Sequence, residues 1–178
     1  MTPALIVSIS TIFYADKFFE KIYTGNTEGY EIFAILMNCF TAMSLTYIFG
    51  ALLTATGKLK VYNMMAVGGI VLNLVLNFIL IPKYFAFGSA IASVVTQFAM
   101  GIAQVILCYK VFKFKVNKRL LLALFLFIIG LVLINYFTLN ISKNWMINFI
   151  IMLTFSGLLA FVTGMINPKS VLRFLKYK

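Results

Sequence analysis

Six stretches of roughly 20 apolar residues, the length a helix needs to cross the hydrocarbon core of a bilayer, follow one another along this chain. They fall at residues 3–22, 31–53, 61–81, 87–109, 119–138 and 145–166, and the segments between them are too short to hold a second domain. This pattern predicts an all-α membrane protein of about six transmembrane helices. The first stretch is the least regular, because its uncharged part stops at Ala15 and Asp16, Lys17, Glu20 and Lys21 follow. About 13 uncharged residues are too few to span. This segment is therefore expected to continue as a helix into the outer headgroup layer.

Composition agrees. Hydrophobic residues make up 63% of the 178, charged ones only 11%, and the mean hydropathy is +1.04. Soluble domains carry about 25% charged residues. Histidine is absent, and Cys39 and Cys108 both lie inside apolar runs. That is neither a disulfide framework nor a metal-ligand spacing, so no metal or cofactor is expected. The net charge of +11 would suggest nucleic acid in a soluble chain. Here the bases sit between the spans, so they are read as topology, and no nucleic-acid partner is expected.

Eleven bases fall on one side of the predicted bundle: Lys58, Lys60, Lys110, Lys113, Lys115, Lys118, Arg119, Lys169, Arg173, Lys176 and Lys178. Four fall on the other: Lys17, Lys21, Lys83 and Lys143. The positive-inside rule makes the richer side cytoplasmic and places both termini there. All four acids, Asp16, Glu20, Glu28 and Glu31, fall outside. The first span begins almost at Met1 with no basic anchor before it, and on that ground the chain is expected to be the back portion of a longer protein.

No Asp, Glu, Lys, Arg or His lies in the middle of a span. Such groups mark proton relays and ion sites, and a membrane hydrolase or transferase would need a general base, an activated nucleophile or a metal. The expectation is that the chain is not an enzyme. What remains is amide, hydroxyl and glycine chemistry. Gly69, Asn73 and Asn77 recur every fourth residue, as do Ser89, Ser93, Gln97 and Gly101, with Gln104 one turn later. Each set shares one helix face. Small and amide residues let helices approach and bond in the membrane, and the same stripe can line a polar cavity. Both readings stand, and the candidate cavity residues are Asn73, Asn77, Ser93, Gln97 and Gln104. Asn38, Thr41, Ser44 and Thr46 spread around their helix instead. Ile81-Pro82-Lys83-Tyr84 is expected to end the third span as a tight outer corner, because proline removes a donor and disfavours helix in the residue before it. Thr56-Gly57-Lys58 is expected to make the matching cytoplasmic turn.

The run Gly50 to Gln97 resembles the back half of O-antigen and polysaccharide flippases of the multidrug/oligosaccharidyl-lipid/polysaccharide exporter superfamily. The resemblance rests on Thr56-Gly57-Lys58, Asn73 with Asn77, Ile81-Pro82-Lys83-Tyr84 and Gly88-Ser89-Ala90-Ile91-Ala92, in that order and spacing. "FFEKIYTGNTEGYEIFAILM" resembles the family's outer segment before its next helix. One departure stands out: Phe85 occupies a position where the family usually has glycine, and a bulky residue does not readily take φ > 0.

The resemblance implies about fourteen helices in two lobes around a central cavity. Residues 1–112 would supply four helices of the second lobe, and 113–178 two further helices with a short basic cytoplasmic tail. It implies alternating-access transport, across the bacterial inner membrane, of an oligosaccharide linked to undecaprenyl diphosphate, in partnership with the N-terminal half of the transporter and the surrounding membrane lipids. Gln97 and Gln104 would bond sugar hydroxyls. A multidrug exporter of the same fold is one alternative; a non-transporting scaffold or gene remnant is another. The tail beyond Pro168 mixes Val171, Leu172, Phe174 and Leu175 with bases, a composition that suits an anionic leaflet.

Overall fold

The computed structural model describes residues 1–23, 29–113, 117–139 and 141–165; Glu28, Lys115 and the expected basic tail lie outside them. Its elements are all helices: α1 (Thr2–Ile22), α2 (Tyr30–Met37), α3 (Cys39–Ala55), α4 (Leu59–Phe112), α5 (Lys118–Thr138) and α6 (Trp145–Val162). Among the described residues, four segments are long and apolar enough to cross a membrane: Tyr30–Ala55, which joins α2 and α3, and α4, α5 and α6. Helix α1 is not among them, but it runs unbroken through Asp16, Lys17, Glu20 and Lys21, as the sequence predicts.

Helix α4 has 54 residues. Straight, it would be about 80 Å long, far more than the ~30 Å hydrocarbon core. It doubles back at Phe85, where φ is 50° and ψ −129°, the one non-helical residue within it. The two limbs, residues 59–84 and 86–112, run antiparallel. Gly69 faces Met100, Asn73 Nδ2 donates to Thr96 Oγ1 at 3.3 Å, and Gly88 lies directly against the carbonyl of Leu80. The sequence places this corner at Ile81–Tyr84, whereas the backbone stays helical through Pro82 and turns one residue beyond Tyr84. The reason is conformational. Reversal needs a positive φ, and proline is locked near −65°. The turn therefore passes to Phe85, which adopts the glycine-like backbone despite its side chain, 76% exposed.

The α3–α4 turn falls where the sequence predicts. Gly57 (φ 73°) follows α3, with Lys58 N–H bonding Leu53 O at 3.0 Å and Gly57 N–H bonding Thr54 O at 3.1 Å. Those two bonds form a Schellman motif, which needs the left-handed residue that glycine supplies at low cost.

The break between α2 and α3 is repaired from outside. Thr41 N–H bonds Asn38 O at 3.2 Å rather than the carbonyl four residues back. Met37 O is thereby released, and Ser8 Oγ of α1 donates to it at 3.0 Å while accepting from Thr41 Oγ1 at 2.9 Å. Helix α1 is the hub. It packs against α2 and α3 on one side and α5 and α6 on the other, while α4 packs on α2 and α3.

Two substitutions test the hairpin. Phe85→Gly removes backbone strain of about 1–3 kcal/mol and should raise the denaturation midpoint in mixed micelles. Gly88→Leu should lower stability by about 1–3 kcal/mol, because any side chain there is driven into the Leu80 backbone. Ser8→Ala should cost about 0.6–2 kcal/mol, the range for a polar contact between membrane helices.

Candidate functional site

Helix α3 and the two limbs of α4 enclose a cleft of about 560 Å³. Its polar lining is Thr46 from α3, Tyr62 and Asn73 from the first limb, and Ser93, Thr96, Gln97 and Gln104 from the second. A second hollow of about 430 Å³ shares Thr46, Tyr62 and Gln97 and extends to Gly50 and Thr54, toward the α3–α4 turn. Neither is lined by a charged residue. Such a volume lies in the range of small-molecule sites. With only amides and hydroxyls, it suits neutral hydrogen-bonding groups and disfavours a bare charge.

The helix spacing explains how these side chains meet. Asn73 and Gly69 stand on one face of the first limb, while Ser93, Gln97 and Gln104 stand on one face of the second. The Phe85 corner sets those faces opposite each other. Gly50 makes room on α3: a Cβ there would come within 2.9 Å of the Tyr62 ring and 3.5 Å of Gln104 Oε1. Gly101 serves packing instead: a Cβ there would come within 3.3 Å of Ala42 O, so its absence lets α3 and the second limb of α4 approach closely.

Gln104 is the unusual member. It is fully buried, yet neither Oε1 nor Nε2 has a hydrogen-bond partner among the described residues. An unpaired buried polar group costs about 1–3 kcal/mol. Gln97, half-buried, faces both hollows.

Of the five candidates, Asn73, Ser93, Gln97 and Gln104 come together on this cleft and Asn77 does not. Asn77 lines a separate apolar hollow with Leu74, Phe78, Ile81 and Pro82. From there its Nδ2 donates to both O and Oδ1 of Asn73 at 2.9 Å, and Asn73 Nδ2 donates on to Thr96 Oγ1. Asn77 therefore orients Asn73 rather than reaching the cleft.

Thr96, Tyr62 and Thr46 were not among the candidates. Thr96 sits one residue off the every-fourth stripe and becomes visible only through the antiparallel register. Thr46 was one of four scattered polar residues on its span. In the fold Asn38 donates to Ala34 O, Ser44 to Thr41 O, Thr41 to Ser8 and Thr46 to Ala42 O, and Thr46 is the member that lines the cleft. No cluster of His, Cys, Asp or Glu able to hold a metal occurs among the described residues.

Gln104→Met should raise stability by about 1–3 kcal/mol, because it removes two unpaired polar atoms at little change in volume. A fall in the denaturation midpoint would mean that the amide is a structural anchor. In a Cys39→Ala/Cys108→Ala background, a cysteine at Gln97 should react with a small water-soluble thiol reagent faster than one at Leu53, which is fully buried. Equal rates would show the cleft to be closed packing.

Comparison of the chain with protein-family models, curated proteins and solved structures finds no match.

Proposed function

We propose that this chain is part of a flippase that carries lipid-linked oligosaccharide, of the undecaprenyl-diphosphate type, across the bacterial inner membrane by alternating access. One observation carries the reading: an uncharged cleft lined by amides and hydroxyls sits among apolar helices, with fully buried Gln104 unpaired inside it. A sugar chain offers a dense set of neutral donors and acceptors that such a surface can match. The resemblance of Gly50–Gln97 to polysaccharide flippases supports the same cargo.

In this reading the protein does no chemistry on what it moves. Six crossings come from α1, from α2 with α3, from each limb of α4, from α5 and from α6. The excess of bases at the α3–α4 turn, the end of α4 and the start of α5 puts that end, and both termini, in the cytoplasm. Alternating access in two-lobed transporters comes from one half rocking against the other. The open side of the cleft is where the other half would sit.

Expression in a strain lacking a matched oligosaccharide flippase tests the cargo. Together with the front portion of such a transporter, the chain should restore surface polysaccharide, and Gln104→Leu should reduce the restored level by about tenfold, the worth of one hydrogen bond. Restoration by the chain alone, or none with any front portion, would overturn the reading. Orientation has its own test. In intact cells a membrane-impermeant maleimide should label a cysteine at Lys143 and spare one at Lys58; the reverse pattern would turn the bundle over.

A further inference from the structure

Tyr62 stands between the two hollows. It lines both, together with Thr46 and Gln97, whereas Gln104 belongs only to the larger one. The register of the α4 limbs sets Tyr62 close to Gln104. Gly69 faces Met100 and Asn73 pairs with Thr96. Gln104, one turn beyond Met100, therefore lies opposite the turn 62–66 of the first limb. A contact from α3 agrees. A Cβ on Gly50 would come within 2.9 Å of the Tyr62 ring and 3.5 Å of Gln104 Oε1, so ring and amide flank the same bare backbone position.

The two side chains are in opposite states. Gln104 is fully buried, with neither amide atom bonded among the described residues. Tyr62 is half-buried, and among the described residues its hydroxyl has no hydrogen-bond partner and its ring no aromatic neighbour. Tyr14 shows what a tethered tyrosine looks like: its hydroxyl bonds Thr138 and its ring meets Phe149 edge-on at 5.6 Å. Nothing comparable holds Tyr62, which rests instead against a glycine. Such a ring changes place by a change of rotamer, with no bond to break. In place, it helps to cover the amide. Swung aside, it joins the two hollows and presents the amide to whatever enters.

The amide also selects what enters. Nε2 needs an acceptor and Oε1 a donor, side by side. Ala66, Gly69, Ile70 and Met100 line the rest of this wall, so a charge would be desolvated there without a countercharge. Two adjacent hydroxyls meet the requirement.

We infer that Gln104 is a subsite closed by the Tyr62 ring, which swings aside to admit a neutral pair of adjacent hydroxyls. That the pair belongs to a sugar rests on the flippase reading; the lid itself does not.

The test uses the full chain in detergent micelles, with Cys39→Ala/Cys108→Ala as the background. With Gln104→Cys, the rate of modification by a small water-soluble thiol reagent reports opening. Tyr62→Ala should speed it by at least about tenfold, as expected when the open state is a minor one. Gly50→Ala should speed it as well, because the added Cβ displaces the ring. The double change Gly50→Ala/Tyr62→Ala should be no faster than Tyr62→Ala alone. Tyr47→Ala, which truncates another tyrosine of the smaller hollow, should leave the rate unchanged.

In a second arm Gln104 is kept and Ser93→Cys reports occupancy. Methyl glucoside should slow its modification, and gluconate, which is charged, should not. In the Tyr62→Ala background, Gln104→Leu should weaken that protection by about tenfold, the worth of one hydrogen bond. The inference is overturned if Tyr62→Ala leaves the modification rate unchanged, if Gly50→Ala adds to it, if methyl glucoside gives no protection, if gluconate protects equally, or if Gln104→Leu has no effect. Circular dichroism of each variant separates loss of binding from loss of fold. A lid that behaves as expected in a chain that restores no surface polysaccharide would sink the flippase reading alone.

Discussion

Among apolar helices with no water between them, a polar side chain must find its partner inside the protein, and the assembly of this bundle follows from how α1 meets that requirement. Ser8 closes the break between α2 and α3 by taking Met37 O and the Thr41 hydroxyl. Ser10 donates to Met152 Sδ of α6 at 3.0 Å, and the Tyr14 hydroxyl shares a hydrogen bond with Thr138 of α5 at 3.2 Å. The bonds reach different neighbours, Ser8 from one face of the helix and Ser10 and Tyr14, four residues apart, from another. Above them Phe18 meets Trp145 and Phe149 edge-on, at ring separations of 5.3 and 4.9 Å. The least apolar helix is thus the one the others gather around, because the hydroxyls of Ser8, Ser10 and Tyr14 are satisfied only when these neighbours are present, whereas Thr11 bonds Val7 O within the helix. Apolar area alone gives helices little reason to choose one another in lipid.

The cleft between α3 and α4 is where this accounting is most open, though Asn77 Oδ1 of α4 and Asn135 Oδ1 of α5 are also buried without a partner among the described residues. Asn148 shows what a completed amide looks like: its Nδ2 donates to Leu139 O and Ser142 O, and its Oδ1 accepts from Ser142 N–H, so the α5–α6 connection is tied at both ends. Gln104 has the same amide chemistry and none of those bonds. Gly50 keeps the space beside it open, where a larger residue would have filled it. A buried amide held unpaired next to an open cleft costs stability and leaves a donor and an acceptor uncommitted within the protein.

The sequence made the helices legible because span length and apolar content are local properties. The turn at Thr56-Gly57-Lys58 was legible for the same reason, since its glycine and its bonds lie within six residues. The corner near Pro82 was displaced because proline announces a disruption without being able to adopt the positive φ that a reversal requires. The candidate site was legible as a stripe on each limb, which brought out Asn73, Ser93, Gln97 and Gln104. Thr96 and the orienting role of Asn77 were hidden, since both depend on which residue of one limb faces which of the other. Serine and threonine in α1 carried no periodic signal at all. Their importance lies in neighbours more than a hundred residues away, such as Met152 and Thr138.

These costs are not spread evenly. Strain at Phe85 and the unpaired Gln104 both belong to α4, at about 1–3 kcal/mol each, while the frame carries one unpaired amide oxygen, Asn135 Oδ1 of α5. Against a typical total stability of about 5–15 kcal/mol, that is a substantial load on one element. The paired hydroxyls and stacked rings lie instead on α1, α5 and α6, and α4 joins the rest through α2 and α3. Elements that move are drawn from the less stable parts of a fold. The structure therefore divides into a frame tied by α1 and a hairpin that leans on it. The cleft lies mainly between the two limbs of that hairpin, with Thr46 as its contribution from α3, so a change in the spacing of the limbs changes its width without disturbing the hydroxyl bonds that hold the frame.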